Sequence, residues 1–152
     1  LMLMNLSKSI GVQTTFERVE PVGSVAVIYD ICSSHVHVKA DFKSLRKHDL
    51  QKIFLLNEQS SRFFGRYCDS NGSVLIDKEV GAWEKIEAEW GLFSDKSNEV
   101  GFRLWKVRDA VFYRGRELLE DTLDWVGLDY EVAPENPHLE YDIEIIGRRN
   151  QK

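Results

Sequence analysis

Residues Ser24 to Phe42, SVAVIYDICSSHVHVKADF, constrain the fold more than any other stretch. Apolar and polar positions alternate with period two on both sides of Ser33-Ser34, as a pair of antiparallel strands requires. Folding the segment there pairs Ile31 with Val36, Tyr29 with Val38, Val27 with Ala40 and Val25 with Phe42. One face is then apolar in both strands and suited to a core. The other face pairs Cys32 with His35 and Asp30 with His37.

Two more hairpins are expected downstream. Asn71-Gly72 fits a type I′ turn, because both positions tolerate positive φ. That turn pairs Cys68 with Leu75, Tyr67 with Ile76 and Arg66 with Asp77. Glu99 to Arg116 reads as a third hairpin folded near Arg108-Asp109. Phe102 and Leu104 share a face with Val111 and Tyr113, and Trp105 and Val107 share the other with Phe112. Arg114 then lies near Trp105, within reach of a cation–π contact. Leu139 to Ile146 alternates as a last strand, and Thr14 to Glu20 alternates more weakly as a first one.

Helical spacing predicts three helices between these strands. The first runs from a cap at Ser44 or Asp49 to about Phe64, with Leu50, Ile53, Phe54 and Phe64 on one stripe and Gly65 past its end. The second is Ala82 to Trp90, with Trp83, Ile86 and Trp90 at helical intervals before Gly91. The third is an acidic helix, Glu117 to Val126, with Leu118, Leu119, Leu123 and Val126 inward and Gly127 as its stop. Short turns favour antiparallel pairing, so the expected class is α+β. The architecture is a mainly antiparallel sheet of three hairpins plus a C-terminal strand, packed by about three helices. With 152 residues this is a single domain, with 1–11 and 148–152 expected to be flexible.

Charge is unevenly spread. Glu117 to Glu144 holds ten acids (Glu117, Glu120, Asp121, Asp124, Asp129, Glu131, Glu135, Glu140, Asp142, Glu144) and no Lys or Arg. The net charge of −5 therefore splits into −10 for this span and +5 for the rest. Phosphate contacts need Lys and Arg, so this third excludes nucleic acid as its partner and suits a basic one. No apolar run approaches the roughly 20 residues of a membrane helix. Cys32 and Cys68 form no disulfide framework and no CxxC pair, and the expected compartment is the cytoplasm. Both faces of the third hairpin need cover, which leaves room for a homodimer of two-fold symmetry.

Three groupings carry chemical potential. His35 and His37, one residue apart on a strand face and facing Asp30, have the spacing of metal ligands, and Cys32 opposite His35 suits a thiolate–imidazolium pair. Trp83, Trp90, Trp105, Phe112, Tyr113 and Trp125 can line a ligand cleft, with Arg103 and Arg114 as polar handles. Asp121, Asp124 and Asp129, with Trp125 or Tyr130 as an aromatic anchor, can form an acidic contact surface. Phosphate-binding glycine loops, GxSxG and HExxH are absent from the sequence. The expectation is a non-enzymatic binding protein without cofactor. It would engage a basic macromolecular partner through its acidic surface, as inhibitors, immunity proteins and chaperones do. The alternative is a small-molecule-binding domain or modest enzyme with an aromatic pocket.

Overall fold

Two antiparallel sheets enclose one hydrophobic core in the computed structural model, which describes residues 20–119 and 123–147. The strands are β1 (Ala26–Ile31), β2 (His35–Asp41), β3 (Ile53–Leu55), β4 (Glu58–Ser60), β5 (Arg66–Asp69), β6 (Val74–Ile76), β7 (Glu84–Lys85), β8 (Trp90–Ser94), β9 (Gly101–Trp105), β10 (Ala110–Leu119), β11 (Leu123–Val132) and β12 (His138–Ile146). The larger sheet has the order β1-β2-β12-β9-β8-β5-β6. The smaller has the order β3-β11-β10-β7, with β4 also paired to β11.

Alternation decides which residues meet between the sheets. The larger sheet turns Val38, Ala40, Tyr67, Phe93, Phe102, Leu104 and Tyr141 inward. The smaller turns in Phe112, Val126, Leu128, Tyr130 and Val132. Full burial of each such side chain is worth about 1.5–3 kcal/mol, so these two faces dominate the stability of the fold. Tyr130 joins the layers. Its ring stacks on Phe112 at 5.3 Å and meets Tyr141 of the other sheet at 4.8 Å. Its hydroxyl donates to the Trp105 carbonyl at 2.6 Å, which satisfies the polar end of a buried ring.

The first hairpin forms in the expected register, with Ile31 opposite Val36, Tyr29 opposite Val38 and Val27 opposite Ala40. The ladder stops at Ala26 and Asp41, short of the Val25–Phe42 pair. Core cover reaches β2 but not β1, where Tyr29 is 60% and Ile31 80% exposed. The C-terminal strand is also present, as β12 between β2 and β9.

The α+β expectation is wrong: the chain is mainly β, and its only helical pieces among the described residues are 3-10 turns at Lys47–Asp49 and Asp77–Val80. The stretch expected as a helix to Phe64 holds β3 and β4, both paired to β11. Ile53 and Leu55 are half-buried and Phe54 exposed, so a period of two prevails within a short apolar run that fits either pattern. In Ala82 to Trp90, the three residues at helical spacing enter three different environments. Trp83 covers two glycines of the smaller sheet, Ile86 enters the core, and Trp90 lies on the outward side of the larger sheet. The acidic helix is instead the far end of β10 and the start of β11. Leu118, Leu119 and Leu123 stay about half exposed there, and only Val126 of the expected stripe is buried.

Two hairpins also differ from expectation. The Asn71-Gly72 turn exists, but its loop is one residue longer, so Cys68 faces Val74, Tyr67 faces Leu75 and Arg66 faces Ile76. Asp69 sets this loop. Its Oδ1 accepts the Asn71 and Ser73 N–H groups at 2.9 and 3.1 Å, and Gly72 alone takes positive φ, at +84°. Glu99 to Arg116 is not a hairpin. β9 and β10 belong to opposite sheets, and the chain crosses between them through Lys106–Asp109. Both segments looked apolar on two sides because each faces the shared core from its own layer. Residues 1–11, 14–19 and 148–152, for which flexible ends and a first strand were expected, lie outside the described residues.

Candidate functional site

The outward side of the smaller sheet is built on a shelf with no side chains. Gly115 of β10 and Gly127 of β11 are direct cross-strand partners. A Cβ on Gly115 would stand 2.5 Å from Trp83 Cδ2, and one on Gly127 would stand 2.8 Å from Trp83 Cη2. The two glycines therefore make room for one indole ring, which in turn covers backbone that glycine leaves bare. Beside it, Tyr113 and Asp129 form the next outward pair along the same two strands. Their inward neighbours, Phe112, Leu128 and Tyr130, are core residues. The same hairpin thus builds the core on one side and this surface on the other.

The segment Phe54–Glu58 runs along the β11 edge of that surface and borders a cleft of about 370 Å³. Phe54, Leu56, Trp83 and Tyr113 line it with apolar surface, and Glu58, Glu117 and Asp129 line it with carboxyl groups. Phe54 and Tyr113 meet edge to face at 6.2 Å. The Tyr113 hydroxyl donates to Glu131 Oε2 at 2.8 Å, which fixes that ring. No Lys, Arg or His lines the cleft. The nearby cations are engaged elsewhere: Lys52 pairs with Glu131 at 3.0 Å, Lys85 with Glu87 at 2.8 Å, and Arg114 with Glu84.

Asp129 is the unusual member. It is only 3% exposed, and its Oδ1 accepts the Asn57 N–H at 2.8 Å. Burial pushes its pKa up to about 7, against the lowering effect of that hydrogen bond, and Glu58 raises it further. Glu58 is itself raised, first by burial and then by the charge of Glu117. The charge of Glu117 thus reaches Glu58 and that of Glu58 reaches Asp129, with no Lys, Arg or His in the cleft lining. Uncompensated buried charge is costly, and this favours the protonated form of Asp129.

Of the residues expected to act, Trp83, Tyr113 and Asp129 meet here. Trp90, Arg103 and Trp105 lie on the outward side of the larger sheet instead. The Arg103 guanidinium sits 4.7 Å from the Trp90 ring and 5.8 Å from the Trp105 ring, and it donates to Glu144 at 3.0 Å. Arg114 points inward over Tyr67 at 5.1 Å and donates to the Val80 carbonyl, so the expected Arg114–Trp105 contact is replaced by Arg103. Trp125 lines a separate groove with Leu123 and Asp124, and Asp124 is paired with Arg116. Asp121 lies outside the described residues.

Asp30 and His37 are cross-strand partners, as expected. The contacts of His37 are on β12, however: Asp142 at 2.7 Å and Glu140 at 3.8 Å. His35 faces Glu144 across the ladder, and Cys32 donates its backbone N–H to the His35 carbonyl at 2.9 Å. Among the described residues, no three His, Cys, Asp or Glu side chains are grouped to hold a metal ion.

The acidic run is divided by the fold. Glu140, Asp142 and Glu144 lie outward on β12 against Lys39, His37 and Arg103, while Glu117, Asp129 and Glu131 lie outward on the smaller sheet. Lys39, Lys52, Arg103 and Arg116 from outside the run thus pair with Glu140, Glu131, Glu144 and Asp124, and the cleft keeps Glu117 and Asp129 and adds Glu58.

Phe54, Leu56 and Glu58 were missed because the helical reading placed them on a helix. The available signal was the pair Gly115 and Gly127, set symmetrically about the hairpin tip and outward in both strands. Comparison with known proteins returns no matching family model, no matching curated protein and no matching solved structure. No helix among the described residues is long and apolar enough to cross a membrane.

Proposed function

We propose that this chain is a non-enzymatic binding protein whose cleft on the smaller sheet holds a cationic group of a basic partner. One observation carries the reading: three carboxyl groups, one of them almost fully buried, share an aromatic-walled cleft with no basic residue in its lining. A cation there gains from the carboxylates and from the faces of Trp83 and Tyr113 together. Phe54 and Leu56, 49% and 61% exposed at the rim, offer an apolar border for a larger partner to cover. A second reading, a small organic cation as ligand, is favoured by the cleft volume, which lies within the usual range for small ligands. A larger groove, about 460 Å³, mixes Lys52 and Arg108 with Asp109, Glu131 and Glu135, so its charges offset one another. The free cysteines Cys32 and Cys68 suit a reducing compartment, and the cytoplasm is the location proposed.

Calorimetric titration of the chain with a lysine- and arginine-rich peptide tests the proposal. Binding should be strong at low salt and weaken at high salt, since screening acts on exposed charge. It should also fall in Glu58→Gln and Glu117→Gln. Unchanged affinity in both variants would place binding elsewhere and defeat the assignment of the cleft.

A further inference from the structure

We propose that β1 is the interface for a second copy of this chain, joining two larger sheets edge to edge about a two-fold axis at Tyr29. This goes beyond the cleft and does not rest on it. Among the described residues the two sheets end at β1, β6, β3 and β7. Three of these edges are short, with three residues in β6, three in β3 and two in β7, whereas β1 has six. Short edges resist pairing with another chain. An edge of six residues with an unbroken ladder behind it, no proline and one charge, Asp30, is open to it. Residues 99–116 find their cover within the chain, so β1 and not that segment is where the dimer forms.

Three contacts fix the hydrogen-bonding side of β1. The Cys32 N–H donates to the His35 carbonyl at 2.9 Å, so the odd-numbered residues of β2 bond to β1. The Ile145 N–H donates to the Ser34 carbonyl and the Phe42 N–H to the Pro137 carbonyl, both at 2.8 Å, so the even-numbered residues of β2 bond to β12. In β1 the residues bonded to β2 are therefore Ala26, Ile28 and Asp30, and the N–H and C=O groups of Val27, Tyr29 and Ile31 point out of the sheet edge. The side chains of the same three residues lie on the inner face beyond the core cover, 38%, 60% and 80% exposed.

The occupant must supply a strand with an apolar side, and β1 is itself such a strand. Antiparallel pairing about Tyr29 sets Tyr29 against its own copy and Val27 against Ile31, which meets the outward N–H and C=O groups in about six hydrogen bonds. The two inner faces lie on the same side, so the three apolar side chains of each copy merge into one strip. Charge agrees with this register. Asp30 falls opposite Ile28 of the second copy, whose ladder partner is Lys39. Each Asp30 then lies in a row between His37 of its own chain and Lys39 of the second copy. Moving the axis to Asp30 would set two carboxylates face to face, and moving it to Ile28 would set Ile31 against Val25, beyond the start of β1. A joint of one such strand buries less than the roughly 1,200 Å² at which stable interfaces begin, so the dimer is reversible, with a dissociation constant on the order of 1–100 μM.

Sedimentation equilibrium of the full chain across that concentration range tests the proposal, and the native chain should pass from monomer to dimer. Tyr29→Lys and Tyr29→Glu, at an exposed position, should each weaken the dimer at least ~10-fold, because like charges then meet on the axis. An equimolar mixture of the two variants should recover the loss, since Lys then meets Glu. The amides of Val27, Tyr29 and Ile31 should exchange more slowly as concentration rises. A chain that stays monomeric throughout, or a dimer indifferent to both substitutions, would overturn the proposal. Loss in each variant without recovery in the mixture would overturn the axis at Tyr29. Slow exchange of the three amides that persists on dilution would assign the edge to residues 1–19 of the same chain and overturn the second copy as its occupant.

Discussion

Replacing Asp129 with Asn should make the protein more stable at neutral and alkaline pH, and the size of the gain follows from burial. The folded-state pKa of Asp129 is raised to about 7 from a reference of 3.8. Between those values the folded protein keeps a proton that the unfolded chain has released. A carboxyl group with a raised pKa therefore contributes most below its unfolded value, and that contribution is lost as pH rises through the folded one. Each pH unit in the window costs about 1.4 kcal/mol, so the two units from about pH 5 to 7 cost about 3 kcal/mol. That is a large fraction of a typical 5–15 kcal/mol stability. Asn keeps an oxygen to accept the Asn57 N–H, now 2.8 Å away, and does not titrate. The assay is urea denaturation of both proteins at several pH values between about 5 and 8. The quantity of interest is the variant's stability minus the native one, because titrating groups that do not interact with Asp129 cancel in it. It should rise by about 3 kcal/mol across the series, on the order of magnitude set by the pKa shift. A difference that stays flat with pH would refute the reasoning, since it would mean that Asp129 is ionised in the folded protein throughout.

Three further outcomes follow from particular contacts. Gly115→Ala should destabilise by about 1–3 kcal/mol and shift the tryptophan emission, because the new methyl group would also stand 2.7 Å from Trp83 Cα, which cannot swing away. Gly72→Ala has open space around it, so its cost should be only the roughly 1 kcal/mol of placing alanine at φ +84°, read from the same denaturation curves. Arg103→Lys should cost about 1 kcal/mol in thermal or urea unfolding, because an ammonium cannot stack flat between Trp90 and Trp105; a neutral result would show that this stack adds nothing.

Strand signals were legible where pairing is local. The hairpin at Ser33-Ser34 follows from alternation alone, and so does the terminal strand, because each has a full period-two pattern and a clean end. The register of β5 and β6 was not legible, because it turns on one side chain, Asp69, capping a loop one residue longer than the dipeptide implies. The helices failed for a common reason. Short apolar clusters such as Ile53–Leu56 satisfy both periods, and only β11 decides between them, 75 to 79 residues away in sequence. The candidate site suffered most from this. Trp83 and Asp129 were flagged for their chemistry, but the partners that make them a cleft arrive through long-range pairing. The acidic run misled in the opposite sense, since contiguity in sequence became opposite faces in space.

The pairing of Gly115 with Gly127 has a consequence for how this protein can change. In β10 and β11 odd-numbered residues face the cleft and even-numbered residues face the core, so the position of Asp129 beside the buried Leu128 and Tyr130 is a matter of parity. Deleting or inserting a single residue within either strand exchanges the two sets, sending a carboxylate into the interior and an aromatic ring into water. Substitutions can therefore retune the cleft one position at a time, whereas changes in strand length are barred by the core on the other side. Lineages of this chain should vary freely in length at the hairpin tip, and hold the spacing from Gly115 back to Ala110 and from Gly127 forward to Val132 fixed.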